Sequence, residues 1–280
     1  MLRLSLSLSL AMMMVVVAGC GSSEETTTLS AEERFQEAKL LFDDEDYLQA
    51  SKEFQIITLQ FQGSAYADDA QFYVGECRFM RGEFALAAIE YSQLIQRMRA
   101  SPLVPEAQYK LGVSYYNLSP ESMLDQQYTT KAIDELQTFV DYYPANEHAA
   151  DAEEKIKELT TRLAAKEYEN ATMYSKLGYY KSAIIYFDGL IDKYHDTEYA
   201  PLAYLGKVEA LIARNKYNEA QSTIDKFLQL FPNSVLRSQA DKLKSTIDQE
   251  LRGQEQVTDK ESGDNSSENS TFSPGIRDPK

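Results

Sequence analysis

Small residues and the large side chains that follow them recur in this sequence at a fixed interval. Ala50 and Ala87 stand 37 residues apart, as do Ser64 and Ser101, Ala183 and Ala220, and Thr197 and Ser234. The stretch from Ser64 to Arg99 shows the unit. Phe72, Val74 and Phe79 mark one helix, Gly82-Glu83-Phe84 a turn, and Ala87, Tyr91, Leu94 and Ile95 a second helix. A constant period of this size predicts stacked helix pairs, in which each unit buries its apolar face only against its neighbours. The expected fold class is all-α, a solenoid of about five helix pairs closed by a C-terminal capping helix.

Composition narrows the functions such a rod can have. Runs of alternating polar and apolar residues are missing, so no sheet is expected. The formal charge of −16 on 280 residues argues against nucleic acid, which needs a basic surface to displace counterions. It argues equally against attachment to anionic lipid by charge alone. Cys20 and Cys77 are the two cysteines. With Cys20 taken up by lipidation, Cys77 stands alone within a helix, where a small buried thiol is expected rather than a disulfide.

Residues 1–19 have the layout of a signal peptide: Met1-Leu2-Arg3, an apolar run from Leu4 to Val17, then Ala18-Gly19 before Cys20. Val17-Ala18-Gly19-Cys20 matches the bacterial lipobox, in which the cysteine thiol takes the diacylglyceryl group. Cys20 is therefore the expected lipidation site and the first mature residue, with acyl chains anchoring it to a membrane. Gly21 in place of Asp implies, by the enterobacterial sorting pattern, transfer to the outer membrane. Residues 20–29 are small and polar, suited to a flexible tether.

Three helix pairs are expected over 30–148. Ser30 and Glu33 have capping-box spacing and open the first. In the third, the small crossing residue is Ala132 and not a residue near 124, so Glu121 to Tyr128 reads as inserted after a turn at Asn117–Pro120. Residues 149–252 hold a long connecting helix, or two nearly collinear ones, then two further pairs and a cap beginning at Val235. Residues 253–280 are rich in Gly, Ser, Asn and acids and are expected to be disordered. Ala50, Ala87, Ala132, Ala183 and Ala220 should be the points where paired helices cross, since a larger side chain there would force them apart. Pro144 and Pro232 should end second helices.

No catalytic constellation, cofactor loop or metal-ligand pattern is present in the sequence. His148 and His195 fall in separate turns, no glycine-rich phosphate loop follows a strand, and no serine sits in a nucleophile-elbow context. The run Asp43-Asp44-Glu45-Asp46 reads as a solvated turn.

Gly75 or Gly112 on a first helix, the later Ala, an aromatic four residues on and a closing Pro resemble the tetratricopeptide repeat. Gln62, Arg99 and His195 depart from it where Pro would stand. Residues Arg162 to Glu169, then Tyr174 and Gly178-Tyr179-Tyr180, together with the lipobox, the insertion and the long helix, resemble the BamD family of outer-membrane lipoproteins. That resemblance spans Leu29 to Leu251. It implies a non-enzymatic scaffold on the periplasmic face of the outer membrane. Its implied partners are the periplasmic domains of a BamA-like barrel-assembly subunit, unfolded outer-membrane proteins and other lipoproteins of the same complex. N-terminal repeats would recognise substrate, and C-terminal repeats would dock partners. The alternative is another repeat lipoprotein of the envelope, such as one coordinating peptidoglycan synthesis with outer-membrane constriction.

Repeat spacing also aligns Phe35 with Phe72 and Tyr109, and Phe42 with Phe79 and Tyr116. Each pair lies seven residues apart on one helix face. Two readings share this pattern: a groove on the face lined by first helices, taking extended segments that end in an aromatic residue, or core packing.

Overall fold

The computed structural model describes residues 29–267, and the lipobox cysteine and the last thirteen residues of the chain lie outside it. Eleven helices follow one another among the described residues. They are α1 (Ala31–Asp43), α2 (Tyr47–Gln60), α3 (Ala67–Met80), α4 (Phe84–Arg97), α5 (Val104–Leu118), α6 (Gln127–Tyr142), α7 (Ala149–Lys176), α8 (Tyr180–Lys193), α9 (Tyr199–Ile212), α10 (Tyr217–Leu230) and α11 (Arg237–Ser267). Each packs on the next, and α7 and α11 both also touch α9.

The core is a string of clusters shared between neighbouring helices, as a repeat stack requires. Ala50, Ala87, Ala132, Ala183 and Ala220 are all fully buried. Four residues on, Phe54, Tyr91, Leu136, Phe187 and Ile224 are buried as well. The first helices give way to these anchors: a Cβ on Gly75 would lie 2.6 Å from the Tyr91 ring, and one on Gly112 2.6 Å from Leu136 Cδ2. Glycine there is a matter of room, not of backbone freedom.

The turns repeat as strictly as the cores. Within the pairs, first helices end in Schellman caps with a left-handed residue at Glu45 (φ 62°), Gly82 (73°), Gly178 (78°) and Asn215 (56°). In the second of these, Gly82 N–H donates to Phe79 O at 2.9 Å and Glu83 N–H to Arg78 O at 2.9 Å, satisfying carbonyls the helix end would leave orphaned. A residue with a Cβ is strained in this conformation by ~1–2 kcal/mol. Glu45→Gly should therefore stabilise the protein by about 1 kcal/mol, offset in part by unfolded-state entropy, read as a higher urea midpoint at unchanged m-value.

Between pairs, the residue closing each second helix takes one conformation at Phe61 (φ −123°, ψ 40°), Met98 (−120°, 49°), Tyr143 (−131°, 52°), Tyr194 (−128°, 36°) and Phe231 (−123°, 55°). Pro144 and Pro232 follow two of these; Gln62, Arg99 and His195 follow the others without altering the turn. The ring reinforces a geometry that the stacked helices already impose.

Three features interrupt the period. The insertion is an ordered loop, Ser119–Gln126, with α6 already under way at Gln127, so Gln127 and Tyr128 are helical and not loop as the spacing predicts. Gln126 Nε2 donates to the carbonyls of Glu121 (2.8 Å) and Leu124 (3.1 Å), folding the loop on itself. Arg162 Nη1 donates to Ser119 O at 3.1 Å, and Lys166 Nζ to Leu124 O at 2.6 Å, tying it to the long helix. That helix, α7, is continuous for 28 residues, about 42 Å. Its first part packs on α6 and its second on α8.

The cap departs from expectation at both ends. Val235 is 97% exposed: Ser234 Oγ accepts from Leu236 N–H at 3.1 Å, and the helix starts only at Arg237. Ser101 and Asn146 make the same turn ahead of α5 and α7. At the other end the helix runs on to Ser267, past Arg252, where disorder was expected to begin.

Candidate functional site

The six aligned aromatics lie on first helices and are brought into one series, but as fillers of the seams between successive first helices. Phe35 packs with Phe54, Tyr66 and Tyr73, ring centroids 5.5, 5.2 and 6.0 Å away. Phe42 meets Tyr47 and Tyr73, each at 5.2 Å, and Lys39 Nζ stands 4.9 Å over its ring. Phe79 lies 5.1 Å from Phe84, with Lys110 Nζ 5.1 Å over its face. Phe72 differs from the rest. At 9% exposure it belongs to the core with Ala87, Tyr91 and Leu111, so it lines no groove; the other five are half-buried.

At the third pair the seam becomes polar. Tyr109 stacks on His148 with centroids 4.3 Å apart, and its hydroxyl donates to Asp151 Oδ2 at 2.5 Å. One turn further, Tyr116 donates to Glu158 at 2.5 Å, with Lys155 5.3 Å over its ring. Burial and then the Asp151 carboxylate push the Tyr109 phenol up. Partial burial would raise the Asp151 carboxyl, but hydrogen bonds from Lys155 and Tyr109 outweigh it and hold the group below its ordinary value of 3.8.

The sign follows from that depression. The contribution of Asp151 is present above the ordinary carboxylate value and is lost as pH falls through the lower folded value. Acid titration followed by near-ultraviolet circular dichroism should show the tyrosine signal weakening on that limb, and Asp151→Asn should flatten it. A limb unchanged in the variant would mean that other carboxylates carry it.

A second concavity lies where α7 bridges the two sets of repeats. Because α7 is twice the length of its neighbours, the end of α6 and the turn before α9 do not meet. They leave a cavity of about 660 Å³ lined by Val140, Glu153, Ile156, Lys157, Asp196 and Glu198, among others. Sequence reasoning did not find it. The only signal was the 29-residue stretch without glycine or proline from Ala149 to Leu177.

Cys77 is fully buried, and burial, with Glu76 beside it, pushes its thiol up to about 12. It remains a packed thiol and not a nucleophile. Among the described residues no group of three or more His, Cys, Asp or Glu side chains could hold a metal ion. Likewise no described helix is long and apolar enough to cross a membrane. Cys20, the expected lipidation site, lies outside the described residues.

A family model described as YfiO, outer membrane lipoprotein, matches residues 27–214. The chain belongs to this family. It is 26% identical over 227 residues to the outer membrane protein assembly factor BamD of Rickettsia prowazekii (strain Madrid E), covering 80% of this chain and 90% of that protein. It is 27% identical over 210 residues to the BamD of Caulobacter vibrioides, covering 72% of this chain and 68% of that one. Among solved structures it is similar to the TPR2AB domain of yeast Sti1 in its pHSP90 complex. That likeness has a TM-score of 0.40 at 15% identity, over 80% of this chain and 84% of that one. The protein is thus an outer-membrane lipoprotein of the assembly-factor type, with a repeat fold.

Proposed function

We propose that this chain is the periplasmic scaffold of a β-barrel assembly complex, tethered through acylated Cys20. On this reading it holds the periplasmic domains of a BamA-like subunit and receives unfolded outer-membrane proteins for folding and insertion. Similarity to an assembly factor along 90% of that relative's length carries the proposal. The two concavities support a division of labour. The half-exposed edges of Phe35, Phe42, Phe79, Tyr109 and Tyr116 form a strip on which an extended apolar segment can lie. The cavity beside α7 offers a mixed apolar and charged seat for a folded partner.

Affinity purification of the intact lipoprotein from solubilised membranes tests this. Recovery of a barrel-forming subunit with periplasmic repeats is the expected result, together with fewer outer-membrane barrels when the chain is depleted. Recovery of Tol-type or wall-synthesis proteins in its place overturns the reading. Cys20→Ser should move the protein out of the membrane fraction, since it removes the thiol that would carry the acyl anchor.

A further inference from the structure

Of the five turns that follow second helices, only 98–103 carries an arginine or a lysine: Arg99, with Arg97 closing the helix before it. Among the described residues neither guanidinium is ion-paired with a carboxylate; Arg99 Nε donates to Gln96 O at 3.3 Å. Both line a depression of about 380 Å³ between this turn and the one before α3, together with Gln62, Ser64, Asp68 and Ser101. Asp68 Oδ2 accepts from Ser101 Oγ at 2.7 Å. The Ser64 hydroxyl has no hydrogen-bond partner among the described residues, a cost that a ligand oxygen would remove. Two guanidinium cations against one carboxylate leave a single positive charge here, in a chain of net charge −16.

The chain enters the rod beside this depression. Phe35, near the start of α1, has its ring 5.2 Å from that of Tyr66, which closes the turn before α3. Cys20 lies ten residues before Ser30, the cap of α1, a span of at most about 36 Å. An acyl anchor at Cys20 therefore keeps this edge of the first repeats close to a bilayer surface.

We infer that the depression takes the phosphodiester of a phospholipid headgroup, so that the rod meets the membrane at a second point and in one orientation. The inference rests on the acylated Cys20 of the reading above. A phosphodiester carries the single negative charge that complements the site, and arginine matches its oxygens in paired hydrogen bonds. Met98 and Ala100 in the same wall give apolar contact to the glycerol end of the lipid. Two arginines fall short of the four to eight cations that mark a cluster binding an anionic surface by charge. They need not do so, because a short tether raises the local headgroup concentration to the millimolar range, where one weak pocket fills. An acidic protein segment is the poorer occupant: the Asp68 carboxylate and the charge of the whole chain repel several carboxylates at once.

The experiment uses the acylated lipoprotein in phosphatidylcholine vesicles that carry a nitroxide on some of the headgroups. A fluorophore is attached in one variant at Ala65→Cys, exposed beside the depression, and in another at Asp44→Cys, exposed at the opposite end of α2, about 20 Å away. Cys77 is buried and stays unlabelled. Quenching should be several-fold stronger at position 65 than at 44. Arg97→Glu with Arg99→Glu should bring it down to the level at 44. Lys193→Glu with Lys226→Glu, exposed cations elsewhere on the rod, should leave it unchanged. If far-ultraviolet circular dichroism shows the arginine variant misfolded, Arg97→Gln with Arg99→Gln replaces it, with the same direction expected. Inorganic phosphate at about 1 mM should not relieve the quenching, since tethered headgroups outcompete it; relief would assign the pocket to free phosphate and overturn the inference. Equal quenching at the two positions overturns it, as does quenching that persists without the arginines or is displaced by an acidic peptide. A chain that does not float with the vesicles loses its anchor and the inference together. One that floats but shows no difference between the positions loses the inference alone and leaves the barrel-assembly reading to its co-purification test.

Discussion

Phe187→Ala should cost about 3–5 kcal/mol, the range for truncating a fully buried aromatic, and should split unfolding into two transitions. Phe187 is 1% exposed and packs with Ala171 of α7, Ala183 and Leu190 of its own helix, and Ala203 and Ala210 of α9. Its ring also occupies the space that a side chain on Gly206 would need, and it lies 6.1 Å from the ring of Tyr168. One side chain therefore joins three helices. In a repeat stack each unit is stabilised by its neighbours alone, so the loss falls on the second half of α7 through α11 and spares the first three pairs. Hydrogen exchange should show protection falling by about a hundredfold or more there. Loss spread evenly over both halves would mean that the rod is one cooperative unit. A double-mutant cycle gives an independent reading: Gly206→Ala and Phe187→Leu should together cost less than their sum, because the smaller side chain makes room for the added methyl.

Why some of this was legible in the sequence, and some not, follows from how a solenoid stores information. Local spacing carries whatever depends on one helix or one crossing. The five crossing alanines, the Ser30–Glu33 capping box and the uninterrupted α7 are of that kind, and all are in the structure. Contacts between first helices of successive pairs are not. Tyr109 meets Asp151 across 42 residues, and Lys110 meets Glu76, 3.0 Å away, across 34. Neither interval equals the repeat period, and nothing in either residue's own helix marks its partner. The same gap explains Phe72: heptad spacing places it on one face with Phe79, but a helix face at a seam is half core and half surface. Only the position of Tyr91, its centroid 5.8 Å away, decides which half a ring occupies. Val235 was misplaced for a local reason, since the Ser234 turn that delays α11 resembles a helix start in sequence. The cavity beside α7 was signalled only by the unbroken length of that helix, because it is made by what α6 and the 196–198 turn fail to reach.

That split within one helix yields the second large effect. Phe72→Ala should cost about 3–5 kcal/mol, because its ring is buried among Ala87, Ala88, Tyr91 and Leu111. Phe79→Ala should cost less, about 1–2 kcal/mol for a half-buried aromatic that loses its edge contact with Phe84 and the Lys110 cation above it. The functional consequences should run the other way. Phe79 keeps part of its surface on the strip proposed to receive unfolded segments, and Phe72 does not. At a temperature where both variants are folded, binding of an extended peptide ending in an aromatic residue should weaken in Phe79→Ala and hold in Phe72→Ala. Tyr116→Phe separates the two properties again. It keeps the ring while removing the hydroxyl that donates to Glu158, so it should leave binding intact at a stability cost of about 1–2 kcal/mol. Should Phe79→Ala bind the peptide as well as the parent does, the series of rings is a seam between first helices and nothing more, and the substrate strip must be sought on another face of the rod.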